Sequence, residues 1–183
     1  AVEDPSSISN KYQRLCEILE EIFEKGEKVV IFTSFKKMID MLCNDIKQRY
    51  GVYVNYIDGS VPAKERQLTI DEFGTVVGAG ALVLNPKAAG AGLNITCANH
   101  AIHYNLEWNP AVEDQASARV FRRGQEKTVF VHRLYYVDTI EEIINEKIQN
   151  KRILSDNAII GNTGSTTDQE YLIKALSASP YKH

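Results

Sequence analysis

The 183-residue sequence contains no run of the form G-x-x-x-x-G-K-[ST]. That loop is the common cradle for the β- and γ-phosphates of a nucleoside triphosphate. The chain is therefore not expected to hold one by itself. Cysteine is scarce as well. Cys16, Cys43 and Cys97 are odd in number and never stand as Cys-x-x-Cys, which excludes a zinc or disulfide framework and predicts reduced, buried thiols. Four histidines are dispersed, none at ligand spacing from a cysteine or carboxylate, so no metal site is expected. No apolar stretch approaches the length, about 20 residues, that spans a bilayer. The opening AVEDPSSIS has no basic-then-apolar pattern, so an intracellular protein without a secretory signal is expected, one with no membrane partner. An excess of one charge is missing too: 21 Lys+Arg against 24 Asp+Glu leave a net −3. Nothing global advertises nucleic acid, and any phosphate contact must come from a local patch. There is no internal repeat. The one shift in composition lies after Ser155, where GNTGSTT reads as a flexible linker.

What is present suits one domain with a sizeable core. Tyr12, Leu15, Leu19, Ile22 and Phe23 recur at helical spacing. Asn10 and Gln13 are placed to cap that helix in capping-box fashion, and Gly26 to stop it. Val29–Phe32 is a short apolar run that fits a strand covered on both faces. Lys36–Tyr50 is amphipathic again, with Gly51 as its cap. Val52–Ile57 is a second strand, Asp58-Gly59 a turn, and Pro62 fits the first position of a helix reaching about Phe73. Ala81–Leu84 and His100–Tyr104 are strands separated by the loop NPKAAGAG. Asn109-Pro110 opens another helix, Val129–Leu134 is a fifth strand, and Thr139 with Glu142 caps a helix reaching about Leu154. Thr167 with Glu170 are spaced to cap a last one. Asp71-Glu72 could pass for a magnesium-binding pair, but Leu68, Ile70 and Phe73 put it on a helix. Strands alternating with helices of this length predict an α/β fold, a doubly wound parallel sheet with helices on both faces. In such sheets ligands sit beyond the carboxyl ends of the strands. Thr33-Ser34, Gly59-Ser60, the run from Lys87 to Gly92 and the helix after Tyr104 all begin there.

Each of those segments has a chemical reading beside a structural one. The hydroxyls and amides of Thr33 and Ser34 suit a phosphate of a nucleic-acid strand, or form an ordinary strand-end turn; Gly59-Ser60 reads the same way. The small residues after Lys87 let backbone amides approach an anion, or merely make a tight turn. Trp108, the single tryptophan, either covers the core edge or contacts DNA. In QASARVFRRGQ, from Gln115 to Gln125, the residues Gln115, Arg119 and Arg122 stand at i, i+4 and i+7. On a helix closed by Gly124 that spacing makes one polar stripe, about a quarter turn from a packing stripe of Val112, Ala116 and Val120. Two permanently charged planar donors a turn apart suit a transferring phosphate, or are a solvated basic face.

Gln-Ala-x-x-Arg-x-x-Arg-x-Gly-Gln resembles the last helicase motif of the Swi/Snf-type DNA translocases of helicase superfamily two. KVVIFTSF, YIDGS and VHRL extend the resemblance in order, across roughly Asn10 to Leu154. Ala118 stands where that family often has an acidic residue or glycine, and Phe121 where it often has histidine; both arginines are kept. Gly90, Gly92, Asn94 and Thr96 match the preceding motif, with Lys87 where arginine is frequent and Ala89 where glycine is.

The resemblance implies a RecA-like lobe over residues 10–155, an extension at 1–9, and a linker with a short helix at 156–183. It implies that Arg119 and Arg122, with Gln115, act at ATP, and that Gly92 and Asn94 face the nucleotide. Thr33, Ser34, Gly59, Ser60, Lys87, Thr96 and Trp108 would face the DNA backbone. The phosphate loop and the Mg2+-binding acidic residues would then belong to a first lobe upstream. ATP and Mg2+ would be held mainly there, and double-stranded DNA would be the track. The location would be the bacterial cytoplasm (nucleoid) or a eukaryotic nucleus. Two other readings stay open: a non-catalytic DNA-docking or regulatory module, and an RNA helicase lobe. The ending Arg-Arg-Gly-Gln, in place of Arg-x-Gly-Arg-x-Gly-Arg, favours duplex DNA over RNA.

Overall fold

The computed structural model describes residues 9–89, 92–107 and 109–157, with side chains as far as residue 150. Eleven elements follow one another: α1 Asn10–Glu24, β1 Lys28–Phe32, α2 Lys36–Tyr50, β2 Tyr53–Ile57, α3 Ala63–Thr75, β3 Gly80–Leu84, α4 Pro86–Ala89, β4 His100–His103, α5 Pro110–Val120, β5 Phe130–Arg133 and α6 Ile140–Asn157. The five strands form one parallel sheet in the order β2-β3-β1-β4-β5. The chain runs outward from β1 to β2, returns to β3, then crosses β1 to β4 and β5, so the direction of winding reverses about the central strand.

Side chains alternate across the sheet, and two apolar layers result. Val29, Ile31, Ala81, Val83 and Ile102 pack under α1 and α2 through Leu15, Leu19, Ile39, Leu42 and Ile46. Val30, Phe32, Leu82, Leu84 and Ala101 pack under α3, α4 and α5 through Ile70, Phe73, Ala88, Ala116 and Val120. Every residue of β3 is buried, which is why that strand reads as a continuous apolar run rather than an alternating one. The doubly wound α/β architecture predicted from periodicity is the one found. Among the described residues no helix is long and apolar enough to cross a membrane.

Several boundaries differ. Ser9, not Asn10, caps α1: its hydroxyl accepts from the Tyr12 amide at 3.4 Å, while Asn10 is already helical. Pro62 caps α3 from just outside. Leu68 shares the period of Ile70 and Phe73 only loosely and is exposed. The Glu142 carboxylate reaches back to the Asp138 amide at 2.7 Å, one residue short of the Thr139 amide expected for a capping box. Cys16 is buried, but Cys43 and Cys97 are only half-buried; all three are free thiols, and burial pushes Cys43 up to about 12. Helix α6 runs past Ser155 to Asn157; the proposed linker and the Thr167/Glu170 helix lie outside the described residues. Buried Lys11 ties α1 to α6. Its ammonium donates to Glu141 at 2.7 and 2.8 Å and lies 5.0 Å from the Tyr104 ring centroid.

A candidate site at the carboxyl edge of the sheet

At the tip of β1, Thr33 continues the ladder by donating its amide to Leu84 at 3.0 Å. Its side chain turns inward. The hydroxyl is fully buried and donates to Asn105 at 2.6 Å, so Thr33 does not offer it to a ligand, contrary to the expectation from sequence. Ser34 is half-buried, and its hydroxyl donates to the Glu107 carboxylate. At the tip of β2, the Asp58 carboxylate accepts from the amide and the hydroxyl of Ser60, at 2.9 and 2.5 Å. The Lys36 ammonium is 3.5 Å from it. The Ser60 hydroxyl, then its amide and Lys36, hold the Asp58 carboxyl below the usual range against the effect of desolvation. Gly59 and Ser60 themselves are exposed.

Asn85, beyond β3, joins these tips to the next loop. Its amide donates to the Ile57 carbonyl at 3.0 Å and its side chain to the Ser34 carbonyl at 3.4 Å. Its side-chain oxygen accepts from the Lys87 amide at 3.0 Å. The predicted loop is thus a single helical turn, Pro86–Ala89, started by Asn85, with Ala88 and Ala89 buried and Lys87 exposed. Gly90, Ala91 and Trp108 lie outside the described residues. Gly92 is exposed with φ +81, a conformation that costs a side chain about 1 kcal/mol or more. Asn94, also exposed, donates its amide to Gln67 of α3 at 3.4 Å.

Helix α5 starts as predicted, with Asn109 accepting from the Ala111 amide at 3.1 Å and Pro110 in the first turn. It ends four residues earlier than Gly124, at Val120, with Phe121 leaving the helical region. The cause is tertiary. The Ile95 amide donates to the Arg119 carbonyl at 2.9 Å, and that carbonyl would otherwise serve the amide of Arg123 in the next turn. Gln125 pins the turn beyond it, its side chain donating to the carbonyls of Thr96 and Ala98 at 3.2 and 2.7 Å. Gln115 and Arg119 remain on the helix, the first exposed and the second half-buried, whereas Arg122 stands exposed in the turn. The single stripe of three polar heads is not formed. One atom of Arg119 stands out: Nε is buried and has no hydrogen-bond partner.

The packing face of α5 also differs from the sequence reading. Val112 is half-buried, and Glu113 takes its place beside Ala116 and Val120, fully buried. One Glu113 oxygen accepts from the Glu107 amide at 3.0 Å. The other accepts from Arg133 Nε at 3.0 Å and lies 2.8 Å from its Nη2. Glu113, Glu107, Asn85 and Asn105 were all missed. For Glu113 a signal existed, since the spacing i, i+3, i+7 with Ala116 and Val120 puts it on the buried stripe; an unpaired acid there is rare enough to predict a cation across it.

The strand tips thus carry Ser34, Gly59, Ser60 and Lys87 on one side. The segment from Gly92 to Thr96 is tied to α5 and the turn beyond it by the Ile95–Arg119 and Gln125–Thr96 bonds. Among the described residues no group of three or more His, Cys, Asp or Glu could hold a metal ion.

The helicase conserved C-terminal domain family matches residues 10–124. Solved structures resemble this chain in both fold and sequence. The C-terminal part of the Fun30 ATPase domain superposes with a TM-score of 0.75 at 30% identity, over 93% of this chain and 50% of that one. The Sulfolobus solfataricus SWI2/SNF2 ATPase core in complex with dsDNA superposes with a TM-score of 0.67 at 34% identity, over 96% and 37%. The chain belongs to the helicase conserved C-terminal domain family, in its Swi/Snf branch. YwqA of Bacillus subtilis (strain 168) is 38% identical over 151 residues, 82% of this helicase lobe and 16% of YwqA. The helicase lobe therefore spans about a sixth of the length of that relative. The RecA-like parallel sheet expected from the resemblance is the one these structures share.

Proposed function

We propose that this helicase lobe is the second motor lobe of an ATP-dependent translocase on double-stranded DNA. Arg119 and Arg122 would put positive charge on the transferring phosphate of ATP held by a first lobe. The strand tips would grip the DNA backbone. The observation that carries the reading is the buried, unpartnered Nε of Arg119. A buried donor left without an acceptor costs about 1–3 kcal/mol, a cost that the guanidinium would shed by turning outward to an anion brought by the first lobe. Arg122, exposed on the turn beyond the helix, would act beside it. ATP supplies the phosphoryl group and Mg2+ offsets its charge; both would be held mainly by the first lobe, since this chain carries no phosphate loop. Gly92 and Asn94 would face the nucleotide, with Gln115 beside the arginines. Ser34, Gly59, Ser60, Lys87 and Thr96 would face phosphates, as would Trp108; Thr33, whose amide and hydroxyl are both engaged, would serve by positioning Ser34. The dsDNA complex of the Sulfolobus ATPase core supports duplex DNA as the track.

The test is steady-state ATPase in the two-lobed protein with saturating duplex DNA. Arg119→Ala and Arg122→Ala should each lower turnover by about a thousandfold, as arginine fingers do elsewhere, with lysine rescuing poorly because it lacks the planar fork. DNA affinity and melting temperature should hardly move, and the isolated lobe should show no DNA-stimulated turnover. Retention of turnover within about threefold in both alanine variants, a barrier change under ~1 kcal/mol, would return these arginines to a solvated surface.

A further inference from the structure

Glu107 conflicts with its surroundings. It lies at an edge where phosphates are to bind, and it takes the hydroxyl of Ser34, a group suited to a phosphate oxygen. Among the described residues no cation pairs with it. Nor is it there by slack in the chain. Its own amide is held by Glu113, a fully buried carboxylate clamped in turn by Arg133. The neighbouring Asn105 is fixed by the buried Thr33 hydroxyl. The segment that carries Glu107 is therefore anchored at Asn105 and at the Glu107 amide, and its carboxylate accepts from Ser34.

We propose that Glu107 is a resident anion that holds the Ser34 hydroxyl in the absence of DNA and yields it to a backbone phosphate. A carboxylate and a phosphate are both acceptors for the same O–H, and two anions at one donor repel. Binding of the strand must therefore displace Glu107. A lobe that steps along DNA must also let go, and a carboxylate waiting to retake the hydroxyl makes release easier. Glu107 thus sets the grip of this edge, a positioning role that costs affinity. The inference rests on the DNA-facing reading of the strand tips.

The experiment measures duplex-DNA affinity of the two-lobed protein for Glu107→Gln, Ser34→Ala, their combination, and Lys87→Ala, with melting curves for each. Glutamine keeps the shape and an acceptor oxygen but removes the charge. Glu107→Gln should tighten DNA binding by about threefold to tenfold, the scale of one like-charge contact at a screened site. A residue that only braces the fold would not tighten anything when changed. In the Ser34→Ala background the gain should fall below about twofold, the non-additivity expected of residues in direct contact. An equal gain in both backgrounds would overturn the proposal, since the charge would then act through space and not by holding Ser34. Unchanged affinity with Glu107→Gln, while Lys87→Ala weakens binding, would overturn it and leave the DNA-facing edge standing. If neither change moved DNA affinity, both the inference and that reading of the edge would fall.

Discussion

Replacing Glu113 with alanine should cost this lobe about 3–5 kcal/mol of stability, because it removes one partner of a buried ion pair. The structure sets the scale. Glu113 is 0% exposed at its side chain and Arg133 13%, so solvent does little to rescue the guanidinium. The same change removes the acceptor of the Glu107 amide, a loss of about 1–3 kcal/mol if water does not replace it. These contributions share one carboxylate and do not add in full, so the upper figure is a ceiling. For a domain of this length about 2–4 °C of melting temperature is lost per kcal/mol, which predicts a fall on the order of 10 °C. The assay is thermal and urea unfolding of the lobe itself. The control is Glu17→Ala, which breaks an Arg14–Glu17 pair whose side chains are 60% and 59% exposed; such pairs are worth about 0–1 kcal/mol. An apolar pair, Glu113→Met with Arg133→Leu, should recover most of the loss, since a well-packed apolar replacement of a buried pair is often neutral or better. A Glu113→Ala loss under about 1 kcal/mol, indistinguishable from the surface control, would refute the reasoning and mean that water reaches the pair.

Lys87→Ala in the two-lobed protein should weaken DNA binding with little base preference and flatten the dependence on salt by about one unit of slope per lost phosphate contact; an unchanged slope in a salt titration would remove Lys87 from the interface. Asp58 should contribute a pH-dependent share of stability. Its carboxyl is lower in the folded lobe than the ordinary 3.8, through Ser60 and Lys36, so the contribution is present above the unfolded value and lost as pH falls through the folded one. Asp58→Asn should flatten the acid limb of stability below about pH 4, and an unaltered limb in unfolding curves would show that the carboxylate is held no more tightly folded than unfolded.

The parts of the fold set by local chemistry were readable from residues alone. Lys36–Tyr50 was delimited to the residue, because its apolar period runs unbroken into Gly51, which takes the left-handed cap at φ 63. The strands were found because β1 and β3 are buried on both faces and carry unbroken apolar runs. What was not legible depends on partners far along the chain. The end of α5 is decided by Ile95, 24 residues before the arginine whose carbonyl it takes, and by Gln125 reaching back to Thr96 and Ala98. Thr33 reads as a ligand-facing hydroxyl until Asn105 is seen to receive it. Burial of Glu113 depends on Arg133, on a strand that helix periodicity cannot bring alongside.

The early end of α5 bears on how the two arginines would work. Side chains on one helical face move together, and their separation is set by the pitch. Arg119 keeps that mount, with its Nε buried against the lobe. Arg122 instead rides on a turn tied by Gln125 to the carbonyls of Thr96 and Ala98, in the segment that also carries Asn94. Its placement is therefore coupled to the loop after α4 rather than to the helix. The Gln at the end of the arginine stretch is what couples them, through its two bonds to the carbonyls of Thr96 and Ala98. The stretch that looked like one helical stripe is split, one arginine on the helix and one on the turn beyond it. They share a border at Ile95, whose amide closes the helix and whose side chain is fully buried in the layer beneath it. A shift of the Gly92–Thr96 segment would therefore move Arg122 directly and Arg119 only through the carbonyl bond to Ile95.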